Sequence, residues 1–217
     1  MKIRTTSIEQ AIVMEWPSHS DERGYFRRIS DPNVFVANGL DIVPRQWSLS
    51  SNSRLGTFRG IHFQWPPNEE GKLVTCVTGS IFDVLIDLRP WTKTRGQCAH
   101  LELRANDGRT LYVPPGVAHG FLCLEDNTTL VYGITADYRP DATYGVRWND
   151  PATTIEWPIK PRLVSDRDQN WSDLADTLDR MAILYKKHSG HVVAAQEEKE
   201  IGPDDVSHNR QSVIGCK

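Results

Sequence analysis

Between residues 46 and 148, apolar and polar positions alternate in short runs broken by turn residues, roughly one run every ten positions. Residues 72–77 form one such run, Thr78-Gly79-Ser80 interrupts it, and residues 81–88 form the next, which predicts a hairpin. Residues 99–104 alternate, Asn106-Asp107-Gly108 is a strong turn, and residues 109–113 resume the strand. Residues 120–124 and 129–135 continue the series. Upstream, residues 11–16 and 25–29 read as strands on either side of the turn signal Asp21-Glu22-Arg23-Gly24. Residues 35–45 have weak helical character and run into a loop. Many short strands at this spacing predict a mainly β domain, a sandwich or barrel, over residues 1–170.

The period then changes. After proline-rich loops at 138–161, Leu174, Leu178, Met181 and Tyr185 recur at spacings of three and four. This predicts an amphipathic C-terminal helix over 171–188, with Ser172 as its cap. Residues 189–217 are polar and carry Gly202-Pro203, which predicts a flexible tail.

The chain has 217 residues, enough for one domain with appendages. A net charge of −3 disfavours a general nucleic-acid binder. None of the four cysteines forms a C-x-x-C pair, and no secretory h-region or membrane-length apolar run is evident. The expectation is a reduced cytoplasmic protein with free thiols and no membrane association.

Two glycine-flanked segments concentrate the chemistry. One runs from Gly56 through Arg59 and His62 to Gln64, with Glu69 following; the other runs from Gly108 through Pro114-Pro115-Gly116 to His119-Gly120. Their spacing resembles the two signature motifs of the cupin superfamily, the double-stranded β-helix or jelly roll. A metal-binding cupin has His-x-His in the first motif, and here the second histidine is Gln64. Only His62 and His119 remain at cupin metal positions, with Glu69 as a third candidate. Amide oxygen is a poor transition-metal ligand, so the residues point away from a metal site. His62 alone reads either as a satisfied core histidine or as a base. His119 either contacts a ligand or only hydrogen-bonds within its turn. On a strand Arg59 and His62 differ in parity, and a bulge at Gly60 would bring them to one pocket.

Further blocks make the resemblance specific: residues 21–26, 58–64, 71–74, 82–89, 114–121, 131–132, 138–140, 148–151, 155–158 and 165–168. In this order, over roughly residues 8–170, they resemble the dTDP-4-dehydrorhamnose 3,5-epimerase family. The resemblance implies an isomerase acting on a nucleoside diphosphate 4-keto-6-deoxy sugar, without metal or redox cofactor, in deoxysugar biosynthesis. The C4 carbonyl acidifies C3–H and C5–H; a base removes one proton through an enolate and an acid returns a proton to the other face. By the resemblance His62 is the base, Asp168 its carboxylate partner, Lys72 the cation at the C4 oxygen and Tyr132 the opposing acid. Read from sequence alone, Tyr132 is a core aromatic and Asp168 a loop residue near a helix start. Arg23 and Arg59 are implied at the diphosphate, with Gln46, Tyr138 and Phe26 on the nucleotide side and His119 in the substrate pocket. In the family Arg23 and Phe26 reach a neighbouring subunit, which implies a homodimer.

Two positions depart from the family pattern. Arg28 stands where an acidic residue often contacts the base, and Ser48 replaces the asparagine of the Gln46 block. A guanidinium cannot accept a hydrogen bond from the N3–H of thymine or uracil. Cytidine or guanosine carriers are therefore brought into play. The rival readings are a 3,4-ketoisomerase, a metal-dependent cupin dioxygenase and a non-catalytic nucleotide-sugar binding module. Lys72 with Tyr132 favours epimerisation.

Overall fold

The computed structural model describes residues 1–200, with side chains described as far as His188. Among the described residues there are thirteen strands: β1 Lys2–Thr5, β2 Ile12–Glu15, β3 Ser18–Asp21, β4 Gly24–Arg27, β5 Gln46–Asn52, β6 Phe58–Gln64, β7 Lys72–Thr78, β8 Ser80–Asp87, β9 Cys98–Arg104, β10 Arg109–Val113, β11 Val117–Cys123, β12 Thr128–Ile134 and β13 Thr143–Gly145. Three α-helices, α1 Pro32–Ala37, α2 Asp166–Gln169 and α3 Leu174–Glu200, complete the frame with a 3-10 turn at Pro151–Thr153.

Two antiparallel sheets stack face to face. One has the order β1-β2-β10-β7-β12-β5 and the other β13-β6-β11-β8-β9; β3 and β4 form a separate hairpin. Between the sheets, Val74, Leu111, Val113 and Leu130 from the first meet Ile81, Leu85, Val117 and Phe121 from the second. β8 is buried along its whole length because its other face, Phe82, Val84 and Ile86, is covered by C-terminal segments. That double burial is why residues 81–88 read as a nearly continuous apolar run rather than an alternating one. Gly79, at φ +73, makes the tight turn between β7 and β8; a Cβ there would lie 2.3 Å from Thr128 Oγ1.

The core of sheet on sheet agrees with the jelly-roll expectation, while several boundaries move. The helix near residue 35 starts earlier, at Pro32, because Asp31 caps the N–H groups of Asn33 and Val34 and proline suits the first turn. The second strand of the hairpin is Gly24–Arg27 rather than 25–29. The C-terminal helix begins at Leu174 and its backbone continues to Glu200, twelve residues past the expected end at 188. Ser172 is not its cap: Asp173 accepts from Asp176 N–H at 2.9 Å, and Ser172 Oγ instead meets Tyr144 Oη at 3.1 Å. Leu174 and Met181 are buried against Phe63 and Trp65, and each contributes about 1.5–3 kcal/mol of apolar burial. The first part of the tail expected at 189–217 is thus helical as far as Glu200, and the rest, from 201 on, lies outside the described residues. Among the described residues, no helix is long and apolar enough to cross a membrane.

Candidate active site

The site is built where β6 runs between β13 and β11. His62 pairs in register with His119 on β11 and with Gly145 on β13. Just before His62 the β6–β11 register shifts, and the backbone turns at Gly60, which has φ +140. A Cβ on Gly60 would lie 2.5 Å from the Cα of Gly120, so the two strands cross here at a distance only glycine permits. The strand irregularity expected at Gly60 is therefore present, although the cavity that Arg59 lines does not include His62.

His62 Nε2 lies 2.5 Å from Asp168 Oδ1. The imidazole keeps 36% of its side chain exposed, whereas Asp168 is buried. Asp168 sits in the first turn of α2, whose cap Ser165 accepts from the Asp168 N–H. The carboxylate accepts two further hydrogen bonds, from Trp171 Nε1–H at 3.0 Å and from Gly60 N–H at 3.4 Å. Burial pushes its pKa up, but the bond and charge of His62, with the Trp171 and Gly60 donors, outweigh that effect and hold it below the ordinary carboxylate range. With the Nε2 proton shared with Asp168, Nδ1 is left to accept a proton.

Lys72, at the start of β7, is almost fully buried. Its Nζ donates to the His62 carbonyl oxygen at 3.0 Å and pairs with Glu70 at 3.1 Å. These contacts hold a cation beside His62. Tyr132 on β12 projects between the sheets, its ring centroid 6.0 Å from that of His119. Burial, reinforced by the charge of Asp83, pushes its phenol well above its ordinary value, so it remains a proton donor across the neutral range. His119 is buried and bonded through Nε2 to Asp83 Oδ1 at 2.5 Å; the other Asp83 oxygen is buried without a partner.

The nucleotide-side residues are more scattered. Arg59 is exposed, donates to Asn52 Oδ1 at 2.8 Å, and stands with Asp168 on the wall of a cavity of about 600 Å³. Ser48 pairs with Tyr132 across β5 and β12 and is exposed. Gln46 donates to the Ala136 carbonyl, and Tyr138 is exposed two residues further on. Arg23, Phe26 and Arg28 stand apart, on or beside the β3–β4 hairpin. Arg23 pairs with Asp21 at 2.6 Å, Phe26 is 65% exposed, and Arg28 Nε lies 3.7 Å from Asp31.

Comparison with known proteins decides which chemistry this geometry belongs to. The family profile described as dTDP-4-dehydrorhamnose 3,5-epimerase matches residues 5–176. The chain belongs to the dTDP-4-dehydrorhamnose 3,5-epimerase family. A relative of that name from Methanothermobacter thermautotrophicus is 37% identical over 174 residues, covering 79% of this chain and 93% of its own. The crystal structure of the Bacillus anthracis enzyme, with TDP and PPi bound, superposes with a TM-score of 0.77 at 34% identity, covering 79% of this chain and 98% of the other. That of ChmJ, a 3′-monoepimerase from Streptomyces bikiniensis in complex with dTDP-quinovose, gives 0.76 at 33% identity, covering 87% and 96%.

As an epimerase-family isomerase, the chain brings His62, Asp168, Lys72 and the His119–Tyr132 pair to one end of the sandwich. Among the described residues no three His, Cys, Asp or Glu side chains converge as a metal-ligand set. Gln64 does not face a metal position; its amide ties together Asn68, Asp137 and Arg139. Four supporting residues escaped the sequence reading: Trp171, Asp83, Glu70 and Asn52. Trp171 lies just past the C-terminal end of α2, three positions after Asp168, where no helical spacing signals the contact. Asp83 had no local signal, because its partnership depends on the β8–β11 pairing.

The lowered pKa of Asp168 has a stability consequence. Its contribution is fully present above about pH 4 and is lost as pH falls through the depressed native value. Asp168→Asn removes that dependence, so urea unfolding of the variant should lose less stability between roughly pH 5 and pH 2 than the wild type does. Equal losses would mean that the carboxylate is not held charged in the fold.

Proposed function

We propose that this protein inverts C3, C5 or both in a nucleoside diphosphate 4-keto-6-deoxy sugar, with His62 as base and Tyr132 as acid. The His62–Asp168 contact carries the reading, because a hydrogen-bonded, partly exposed imidazole on a buried carboxylate is a base with a fixed tautomer. Removing C3–H or C5–H next to the ketone sends the electron pair towards the C4 oxygen. Lys72 Nζ is the cation available to that developing charge. Tyr132 then returns a proton from the other side of the ring. His119, fixed by Asp83, positions the sugar beside it.

Arg59 is the diphosphate ligand in this reading, supported by its exposed guanidinium on β6, the strand that carries His62. Arg23 and Phe26 serve a neighbouring copy's site in a homodimer. Their exposure supports this, as does the exposed edge strand β5 with Trp47 and Leu49. A cytoplasmic setting suits the reading, since Cys76, Cys98 and Cys123 are free thiols.

Arg28 and Ser48 bear on the carrier. Arg28 can donate to the carbonyl and ring-nitrogen acceptors of cytosine or guanine but cannot accept from N3–H of thymine. The test is to incubate the protein with 4-keto-6-deoxyhexoses carried on dTDP, UDP, CDP and GDP and to read the sugar configuration by NMR. The expected result is a new diastereomer at C3, C5 or both, formed fastest on a CDP or GDP carrier. Fastest turnover on dTDP overturns the carrier assignment, and no inversion on any carrier overturns the function.

A further inference from the structure

Trp171 holds a place in the site that the family resemblance does not assign. Its indole N–H donates to Asp168 Oδ1, the same oxygen that His62 Nε2 approaches. The indole also stands edge-on to the imidazole, centroids 6.1 Å apart at 77°. Four features seat it there. Ser172 docks on the sheet beside β13, its carbonyl accepting from Arg147 N–H at 2.9 Å. The Tyr144 ring packs on the indole at 4.9 Å, and the Arg167 guanidinium lies over it at 4.9 Å. Gly145, the β13 partner of His62, leaves the space: a Cβ on it would lie 2.5 Å from the indole Nε1.

We propose that Trp171 is a positioning residue for the base, setting both the orientation of Asp168 and the strength with which that carboxylate holds the His62 proton. Two donors on one carboxylate oxygen compete for its charge. The indole N–H therefore weakens the pull of Asp168 on the Nε2 proton and leaves the imidazole free to pass a proton on. It also fixes the carboxylate from the side opposite Gly60 N–H, so the plane of the carboxylate cannot swing away from His62. The charged and titratable groups around the base are Asp168 and Arg167 on α2, Lys72 with Glu70, and His119 with Asp83 and Tyr132 on the neighbouring strands. Of these only Asp168 bonds the imidazole ring, so the indole acts through it.

The inference rests on His62 being the base, and its test separates the two ideas. Trp171→Phe keeps the ring and removes the donor. We expect kcat to fall about tenfold, the loss of one hydrogen bond to a charged group, with KM nearly unchanged. The acid limb of the kcat profile should move to higher pH, because the carboxylate now holds the proton more tightly. In the substrate-free protein, the downfield 1H resonance of the proton between His62 and Asp168 should move further downfield. Gly145→Ala, which displaces the indole without altering it, should reproduce all three changes, and it serves as the probe if Trp171→Phe fails to fold. An unmoved resonance with an unmoved acid limb overturns the inference, whether kcat is unchanged or falls equally at every pH. A shifted resonance in a protein that inverts no sugar sustains the positioning role and overturns the proposed function instead.

Discussion

Replacing His62 with alanine should lower kcat by about three to four orders of magnitude, the upper range for removing a positioned general base. Among the described residues, the His62 imidazole alone combines a partly exposed ring with a buried carboxylate partner. The fold should survive the change. His62 is one-third exposed, and the core around it is carried by Phe58, Ile61 and Phe63. Asp168 retains its bonds from Trp171 and Gly60 in the variant, which limits the cost of leaving it buried. KM should change little, because in the proposed mechanism the imidazole acts on the reacting C–H rather than on the carrier. A His62→Ala variant with a native melting profile and more than about a tenth of wild-type kcat would remove this residue from the chemistry.

Lys72→Met should cost about a hundred- to a thousandfold in kcat, the range observed when one donor to a developing oxyanion is removed. Here stability and rate must be separated. Glu70 and Lys72 are both nearly buried and pair at 3.1 Å. Removing the lysine strands Glu70 in a low-dielectric setting, a loss on the order of 3–5 kcal/mol. Adding Glu70→Gln to Lys72→Met should restore much of the melting temperature and none of the rate. If the double variant recovers activity along with stability, Lys72 is a structural partner of Glu70 and not the stabiliser of charge at the C4 oxygen.

The parts of this arrangement differ in how far local sequence reveals them. The strand series was legible because each strand of the sandwich carries its own alternation or apolar run, bounded by glycine turns such as Gly79 and Gly108. The Gly60 irregularity had a local signal, a glycine inside a strand pattern between Arg59 and His62. Partnerships across the fold had none. Asp168 meets His62 over 106 positions of chain, and Asp83 meets His119 over 36, through pairings that no period in the sequence encodes. The family resemblance supplied Asp168, whereas Asp83 and Trp171 emerged only when β8, β13 and α2 were placed around β6. Helix α3 was misjudged in length for a different reason. Its regular apolar spacing ends near Tyr185, but the backbone continues to Glu200 through residues of good helical propensity such as Ala194, Ala195, Gln196 and Glu197.

The central claim is that a proton is removed from a carbon beside the C4 ketone by His62. The most direct test is to incubate the wild-type protein and His62→Ala with the accepted 4-keto sugar in D2O and read deuterium at each ring carbon. The account predicts solvent deuterium at C3, C5 or both with the wild type, at no other ring carbon, and at neither position with His62→Ala. Inversion without deuterium, or equal incorporation by the variant, would contradict it.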